Sequence, residues 1–444
     1  MLPMNFDESI RYLFSLGHET LALKLGLRNT QLLLESLGNP HEFFESVQIA
    51  GTNGKGSTAV VLDSICRDSG IKTGLFTSPH LISITERIRI DGNEISEISF
   101  AKHASEVRLA AESLVTTGQL EAMPTFFEHV TAIALVAFRE AEIGLAILET
   151  GLGGRLDATT VAGARTVAIT PLALDHQEHL GETLEEIAGE KAAIIRRGVA
   201  AVVAEQHPTA LNVILRRCAE CNVEPSVGEC RIEIVDSTQD GRFRVTFETP
   251  EGRYENVLLG LRGRHQIMNV AVAIRLAESL RKRGFTIPKT SIVKGIEKAR
   301  HAGRLELLEG NPSLLFDGAH NPSGAQALRS FLDEFVHKPL TLIFGAMRDK
   351  KLEEIAAILF PAANNLILTQ PDNPRAARVE DLYCLAETIL DREKIIAAQS
   401  ASQAFGMTKE VTPAEGIICI TGSLYLIGEV KAIMNLSSFS KMAH

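Results

Sequence analysis

One glycine-rich segment constrains the fold of this chain more than any other stretch. A short apolar run over residues 47–50 leads into Gly51-Thr52-Asn53-Gly54-Lys55-Gly56-Ser57-Thr58, and an amphipathic pattern follows. Glycines let the backbone wrap closely around phosphates, and the free N–H groups at a helix start favour an anion. A lysine here can reach the β- and γ-phosphates, and the Ser57 hydroxyl can bind Mg²⁺. The segment therefore predicts a strand, a nucleotide-binding loop and a helix.

The spacing differs from that of the common phosphate-binding loop, G-x-x-x-x-G-K-[ST]. Gly51 and Lys55 are closer together, and Gly56 stands between Lys55 and Ser57. A tight strand-to-helix turn without a ligand is the structural alternative. Lysine followed by Gly-Ser at a helix start favours the nucleotide site.

Strand and helix patterns alternate after this segment, which is typical of a mostly parallel sheet covered on both faces. The predicted strands are 73–76, 145–148, 167–169 and 199–204, and the predicted helices are 100–116, 126–140 and 184–196. Residues 228–262 instead predict a small antiparallel sheet with a hairpin at Asp240-Gly241, and a long helix follows over 266–282. Strands at 314–316, 342–344, 366–368 and 417–420 predict a second α/β unit.

These patterns predict an α/β protein of two domains. Residues 1–299 form an N-terminal P-loop domain with a mostly parallel sheet and a small antiparallel sheet. Residues 300–444 form a C-terminal Rossmann-like α/β domain. In such proteins the ligand binds at the carboxyl ends of strands, in the crevice between domains.

Charge and composition exclude some classes of protein. A net charge of −10 argues against a nucleic-acid partner. Neither a signal peptide nor an apolar run of the roughly 20 residues that span a bilayer is seen, so we expect no membrane partner and a cytoplasmic location. Cys218 and Cys221 have C-x-x-C spacing, but free thiols in a reducing compartment are the preferred interpretation.

Candidate catalytic and metal-binding side chains follow the predicted strands. Glu149 ends one strand and precedes the glycine-rich loop 150–157, so with Ser57 it would offer Mg²⁺ two oxygen ligands. Asp175-His176 follows the next strand, taken as the neighbour of the Glu149 strand. A histidine at such a position is more often structural than a ligand.

Lys191 is an unexpected residue on the apolar face of a predicted helix. Its neighbours on that face are Leu184, Ile187, Ala188, Ile194 and Ile195. A lysine whose amine reaches solvent is the common alternative. A buried amine with a lowered pKa could instead react with CO₂, which would give a carbamate that binds a second metal ion.

Polar groups of the second half could complete the site. His265 and Asn269 lie at the start of the long helix, and Asp317, His320 and Asn321 follow a strand of the second domain. Arg304, after Gly303, is a candidate phosphate partner because arginine forms bidentate contacts with phosphate oxygens.

Together these segments resemble the folylpolyglutamate synthase and dihydrofolate synthase family, within the Mur ligase group. The resemblance runs in order along nearly the whole chain, from Leu25-Gly26-Leu27-Arg28 through residues 51–57, 77–81, 86–88, 125–128, 149–157, 175–176, 190–192, 263–269, 303–304, 317–322 and 421–423. The segments 149–159 and 317–322 are highly specific. The resemblance implies an enzyme that uses ATP to join a pteroate or folate carboxylate to L-glutamate.

The resemblance also implies roles for individual residues. It implies two Mg²⁺ ions, one held by Ser57 and Glu149 and one by His176 with carbamylated Lys191, and leaves room for a monovalent cation. Lys55, Lys191, Arg304 and His320 are the implied catalytic residues. The implied ATP-binding residues are Thr52, Asn53, Gly54, Lys55, Gly56, Ser57, Thr58, His265, Asn269, Arg304 and Asp317. The implied substrate-binding residues are Ser78, Pro79, His80, Thr125, Phe127 and Asp157.

The chain departs from the family pattern at several points. His301-Ala302-Gly303-Arg304 stands where Trp-Pro-Gly-Arg is frequent, Asp349-Lys350-Lys351 replaces Asp-Lys-Asp, and Ala193 replaces a glycine. Two alternatives stay open at this point. One is a Mur-type amino-acid ligase acting on a cell-wall precursor, and the other is a nucleotide-binding regulator without ligase activity. The preferred folate form, glutamate chain length and the choice between one and two activities are open, and a monomer is expected.

Overall fold

The computed structural model describes residues 3–17 and 26–442, so Leu25 of the family-like segment lies outside the described residues. The first sheet has the order β4-β3-β2-β5-β1-β6-β7-β8. The β2–β3 and β3–β4 pairs are antiparallel and the other pairs are parallel. Its strands are Glu45–Ala50 (β1), Thr73–Phe76 (β2), Ile88–Ile90 (β3), Asn93–Glu94 (β4), Leu145–Glu149 (β5), Thr166–Ile169 (β6), Ala200–Val203 (β7) and Ser226–Val227 (β8).

Helices cover both faces of this sheet because its strands are apolar on both sides. The helices between residues 6 and 220 are Phe6–Ser15 (α1), Arg28–Ser36 (α2), Lys55–Asp68 (α3), Glu97–Thr116 (α4), Phe126–Glu140 (α5), Gln177–Leu180 (α6), Leu184–Ala192 (α7) and Pro208–Glu220 (α8). Helix α7 is shorter than predicted. Its last turn tightens, with the N–H groups of Ile194 and Ile195 donating to carbonyls three residues back.

A three-stranded antiparallel sheet follows, as the sequence predicts. Its strands Arg231–Ser237 (β9), Arg242–Thr249 (β10) and Gly252–Arg262 (β11) have the order β11-β10-β9. Helices His265–Lys282 (α9) and Lys289–Lys298 (α10) come next, and both pack on α3. Helix α3 is therefore buried from Ser57 to Cys66.

The second α/β unit contains a sheet of order β12-β13-β17-β14-β15-β16, in which β12 is antiparallel to β13 and the other pairs are parallel. Its strands are Glu306–Leu308 (β12), Ser313–Asp317 (β13), Leu340–Phe344 (β14), Asn365–Leu368 (β15), Ile395–Ala397 (β16) and Ile417–Thr421 (β17). Its helices are Pro322–Phe335 (α11), Leu352–Leu359 (α12), Val379–Glu387 (α13), Ala401–Val411 (α14) and Leu424–Met442 (α15).

The strand order corrects one expectation. β5 and β6, which end near Glu149 and Asp175, are not neighbours, because β1 lies between them. The loop after β1 therefore has a polar group from each flanking strand beside it. Across the residues described, no helix combines the length and apolar character needed to cross a membrane.

Candidate active site

The loop between β1 and α3 is held by hydrogen bonds within the protein. The backbone N–H groups of Thr52 and Asn53 both donate to the Pro171 carbonyl at 3.2 Å, and Lys55 Nζ donates to the Thr52 carbonyl at 3.3 Å. Gly54 has φ +87°, and a Cβ there would lie 2.2 Å from Asn269 Oδ1. Only glycine fits that position, because both its backbone angle and its surroundings exclude a side chain.

Glu149 is a buried carboxylate beside the first turn of α3. It ends β5, is 6% exposed, and accepts a hydrogen bond from the Ser78 backbone N–H at 3.2 Å. Burial raises the pKa of Glu149, and the positive charges of Lys55, Arg304 and Arg87 act in the opposite direction. Such a carboxylate gains from a bound cation, because burial without a paired charge is costly.

Ser57 lies in the same turn and meets a histidine from far along the chain. Its Oγ is 3.2 Å from His301 Nδ1, and His301 belongs to the segment between α10 and β12. Loss of solvation, with a contribution from nearby Arg304, lowers the pKa of His301 to about 3. The ring is therefore neutral at physiological pH.

Lys191 is buried on the apolar face of α7, which excludes the alternative that its amine reaches solvent. It is 4% exposed, and its Nζ donates to the Gly51 carbonyl at 2.8 Å. Burial lowers the pKa of Lys191 to about 7, and the charge of Lys55 contributes. A large fraction of the amine is thus neutral near pH 7, which is the form that reacts with CO₂.

His176 lies on the other side of β1, after β6. Burial lowers its pKa to about 3 despite the opposing charge of Asp175, so the imidazole is neutral and able to bind a cation. Within residues 3–17 and 26–442, no group of three or more His, Cys, Asp or Glu side chains could by itself hold a metal ion. The oxygen atoms of Ser57 and Glu149 suit an open Mg²⁺ site whose remaining ligands are water and phosphate.

The second domain contributes the end of β13 to the same region. Asp317 is buried and accepts hydrogen bonds from the Leu305 and Ala319 N–H groups at 2.9 and 3.0 Å, and burial raises its pKa. Arg304 Nη1 donates to the Gly318 carbonyl at 3.3 Å. Asp317 therefore connects two segments, the one before β12 that contains Arg304 and the loop after β13 that contains His320 and Asn321.

Asn321 joins the two domains. Its Oδ1 caps α11 by accepting from the Gly324 N–H at 2.8 Å, and its Nδ2 donates to Asn53 Oδ1 at 3.1 Å and to Asp175 Oδ2 at 3.0 Å. One side chain thus connects a helix start, the phosphate-binding loop and the loop after β6.

Asp175 is the common partner of three side chains from the second domain. Besides Asn321, Lys350 Nζ donates to Oδ1 at 2.8 Å and His320 Nε2 lies 3.6 Å from Oδ2. Burial raises the pKa of Asp175, but His320 and Lys350 outweigh it and hold the pKa below its usual range. Asp175 is thus ionised and ties the domains together.

An interdomain cleft of about 180 Å³ opens next to these residues. Its lining includes Asp175, His176, His320, Asn321, Asp349, Lys350, Lys351 and Arg375. Arg375 Nε is buried without a hydrogen-bond partner. Because both basic and acidic side chains line it, the cleft is suited to a small molecule that carries groups of both charges.

The remaining residues predicted to bind nucleotide lie at the start of α9. Thr58 Oγ1 donates to the Asn269 carbonyl at 3.4 Å, and Asn269 Oδ1 faces Gly54. Burial lowers the pKa of His265 to about 4, and His265 Nε2 is 3.0 Å from Gln266 Nε2.

The residues predicted to bind substrate are arranged around the loop after β5. Thr125 caps α5, and the Phe127 ring lies against Gly151. Asp157 accepts from the Gly151 and Leu152 N–H groups at 2.8 and 3.0 Å. On the other side of Glu149, Ser78 and Pro79 lead to His80, whose Nδ1 accepts from Arg87 Nε at 2.8 Å.

Sequence reasoning did not assign roles to His301, Lys350 or Arg375. Lys350 and Arg375 follow β14 and β15, so the rule that ligands bind at the carboxyl ends of parallel strands could have identified them. His301 lies in a linker, and no spacing in the sequence relates it to Ser57.

Two protein-family models match this chain. The Mur ligase middle domain matches residues 49–277, and the glutamate ligase domain of Mur ligases matches residues 303–424. The chain is 34% identical over 425 residues to the dihydrofolate synthase/folylpolyglutamate synthase of Bacillus subtilis, covering 94% of this chain and 96% of that protein. It is 32% identical to the folylpolyglutamate synthase of Lacticaseibacillus casei, covering 96% and 98%.

Solved structures of a folylpolyglutamate synthase and of FolC are similar to this chain over nearly its whole length. Mycobacterium tuberculosis folylpolyglutamate synthase complexed with ADP and AMPPCP has a TM-score of 0.87 and 30% identity, covering 96% of this chain and 98% of that chain. Escherichia coli FolC in complex with DHPP and ADP has a TM-score of 0.86 and 28% identity, covering 98% and 99%.

Proposed function

Because the chain belongs to the Mur ligase family, in its dihydrofolate synthase/folylpolyglutamate synthase branch, we propose that the cleft between its domains joins L-glutamate to a folate-type carboxylate. The chain is an ATP-dependent ligase of folate metabolism. The observation that carries the proposal is the contact of Asn321 with Asn53 and Asp175, which brings the glutamate ligase domain against the phosphate-binding loop.

The reaction that this site supports has two steps. A substrate carboxylate oxygen attacks the γ-phosphorus of ATP, which forms an acyl phosphate and releases ADP. The amino nitrogen of L-glutamate then attacks the acyl carbon, phosphate leaves, and the nitrogen loses a proton. The enzyme's contribution is alignment and neutralisation of charge, with water kept out by the two domains.

Residues of both domains contact ATP in this proposal. The loop 52–58 holds the phosphates, and Lys55 and Arg304 neutralise developing charge. His265, Asn269 and Asp317 form the rest of the nucleotide site. Ser57 and Glu149 hold Mg²⁺, which supplies charge stabilisation at the phosphate oxygens.

His176 and Lys191 form the second metal site. The lowered pKa of Lys191, about 7, supports carbamylation, in which the neutral amine adds to CO₂ and releases a proton. The carbamate would replace a cation by an oxygen ligand, and neutral His176 would supply a second ligand. A monovalent cation near this site is part of the same proposal.

L-Glutamate is proposed to enter the 180 Å³ cleft, where Lys351 and Arg375 face its carboxylates. His320 Nδ1 lies 2.8 Å from the Gly318 carbonyl, which can only accept, so Nδ1 carries the proton. His320 Nε2 lies 3.6 Å from Asp175 Oδ2, at the edge of the cleft that the amino group of L-glutamate would enter. The pterin would lie against Phe127, near Thr125 and Asp157, with Ser78, Pro79 and His80 shaping access.

A product assay tests the function. Purified protein, ATP and Mg²⁺ are incubated with L-glutamate and either 7,8-dihydropteroate or tetrahydrofolate, with mass spectrometry of the products and measurement of ADP. We expect ADP release that needs both co-substrates, and products heavier by one or more glutamyl residues. Release without either co-substrate would contradict the proposal and favour a regulator. Product from only one of the two pterin substrates would indicate a single activity, and product from both would indicate a dihydrofolate synthase and a folylpolyglutamate synthase activity in one enzyme.

Two further properties belong to the proposal. The net charge of −10 supports an enzyme without a nucleic-acid partner, and we expect a monomer in light scattering. A cytoplasmic location stays a prediction.

A further inference from the structure

The Ser57 hydroxyl has a side-chain partner that comes from the segment joining the two domains. His301 Nδ1 lies 3.2 Å from Ser57 Oγ. The same ring lies against Gly56, where a Cβ would be 3.0 Å from His301 Cε1 and 3.2 Å from Glu149 Oε2. The first turn of α3 is thus enclosed between the imidazole of His301 and the carboxylate of Glu149.

The contact matters because a hydroxyl has one proton and two lone pairs. A serine that binds a metal ion through its oxygen has to point its O–H at another acceptor. His301 Nδ1 is at the right distance to be that acceptor. Mutation of a group that orients a metal ligand in this way typically lowers metal affinity or activity about 10–100-fold.

We propose that His301 is a positioning residue that accepts the Ser57 proton and so turns the serine oxygen toward Mg²⁺. The inference rests on the proposed Mg²⁺ site at Ser57 and Glu149. Since residue 301 lies between α10 and β12, the contact also ties the metal ligand to the interdomain linker. A change in linker conformation would therefore alter metal affinity.

The test measures metal binding apart from turnover. Mn²⁺ is titrated into the protein with saturating ADP, and free Mn²⁺ is followed by electron paramagnetic resonance. ADP affinity is measured separately in EDTA. His301→Phe should weaken Mn²⁺ binding about 10-fold or more, and leave ADP affinity in EDTA unchanged. His301→Asn, which keeps an acceptor near the Nδ1 position, should stay close to the wild type.

A double-mutant cycle separates positioning from a general packing effect. In a Ser57→Ala background, His301→Phe should cause no further loss of Mn²⁺ affinity, because the hydroxyl that it orients is gone. Arg300→Ala is the matched linker control. Arg300 donates to the Glu297 and Ala299 carbonyls at 2.9 and 2.8 Å, and this variant should leave Mn²⁺ affinity unchanged.

The outcomes are distinct. Equal Mn²⁺ affinity in wild type and His301→Phe overturns the inference alone, as does an equal loss with and without Ser57. If His301→Phe does not fold, the cycle is run with His301→Ala. Absence of ADP-dependent Mn²⁺ binding in the wild type would instead overturn the proposed Mg²⁺ site.

Discussion

The side-chain amide of Asn321 donates a hydrogen bond to Asn53 Oδ1 at 3.1 Å, and the two residues are 268 positions apart. The contact joins the start of α11 to the phosphate-binding loop, and Asp175 is the second acceptor for the same amide. Because Asp175 also accepts from Lys350, a small hydrogen-bond network joins the two domains beside the cleft.

Replacing Asn321 by aspartate should open this cleft. The new carboxylate keeps the oxygen that caps α11, but it places negative charge against Asp175 and removes the donor to Asn53. We expect kcat/KM to fall at least tenfold, since about 1.4 kcal/mol of transition-state alignment corresponds to that factor. Small-angle scattering with ATP analogue should show a more extended particle.

Arg264→Ala is the matched control for Asn321→Asp. Arg264 pairs with Glu334 across the domains at 2.7 Å, but half of its side chain is exposed. Exposed pairs contribute about 0–1 kcal/mol, so this variant should retain activity and shape. A wild-type rate for Asn321→Asp would show that the Asn321 contact is not needed for catalysis.

Lys191→Ala should abolish product formation, because no amine remains to form the carbamate. Short carboxylic acids should restore part of the activity by supplying the missing oxygen ligand. Wild-type enzyme depleted of CO₂ at pH 6, below the Lys191 pKa of about 7, should lose activity and regain it with bicarbonate at pH 8. Full activity of Lys191→Ala, measured by glutamate incorporation, would disprove the metal role.

Much of the fold could be predicted from local patterns. The alternation of apolar strands and helices identified both α/β units, because buried parallel strands have few polar residues. Helix Phe126–Glu140 was predicted with its observed ends, and in the structure Thr125 and Glu128 form a capping box at its start. The end of α7 was predicted too late, because its apolar stripe continues past the last helical turn.

Long-range contacts were harder to predict. The burial of Lys191 follows from its helical face, but its acceptor, the Gly51 carbonyl, depends on how α7 packs against the phosphate-binding loop. Likewise, His301 reaches Ser57 only because α10 packs on α3. Such relationships depend on tertiary packing and leave no periodic signal in the sequence.

Acid should destabilise the protein through His129. This buried ring contacts Tyr12 Oη and the Thr125 carbonyl at 3.0 and 3.1 Å, and burial lowers its pKa from 6.5 to about 4. Between these values the unfolded state binds a proton that the folded state does not, so stability falls as pH decreases from 6.5 to 4. Urea unfolding of wild type and His129→Gln at pH 7 and 5 measures the effect.

The His129→Gln variant has no imidazole to titrate. When the pH falls from 7 to 5, its free energy of unfolding should therefore decrease by roughly 2 kcal/mol less than that of the wild type. His179→Gln, at the end of α6, is the comparison for a histidine outside this core. Parallel pH profiles for wild type and His129→Gln would contradict the assignment.

Gly56→Ala should remove ligase activity while leaving most of the structure folded. The added Cβ would lie 3.0 Å from His301 Cε1 and 3.2 Å from Glu149 Oε2, so either the imidazole or the carboxylate must move. Helical geometry itself permits alanine, which is the better helix former by about 1 kcal/mol.

Gly189→Ala on α7 is the matched control, because its Cβ would meet no atom within 4 Å. That variant should melt at or above the wild-type temperature and keep its activity. If Gly56→Ala behaves like Gly189→Ala in calorimetry and in glutamate incorporation, then the spacing between Glu149 and His301 is not needed for catalysis.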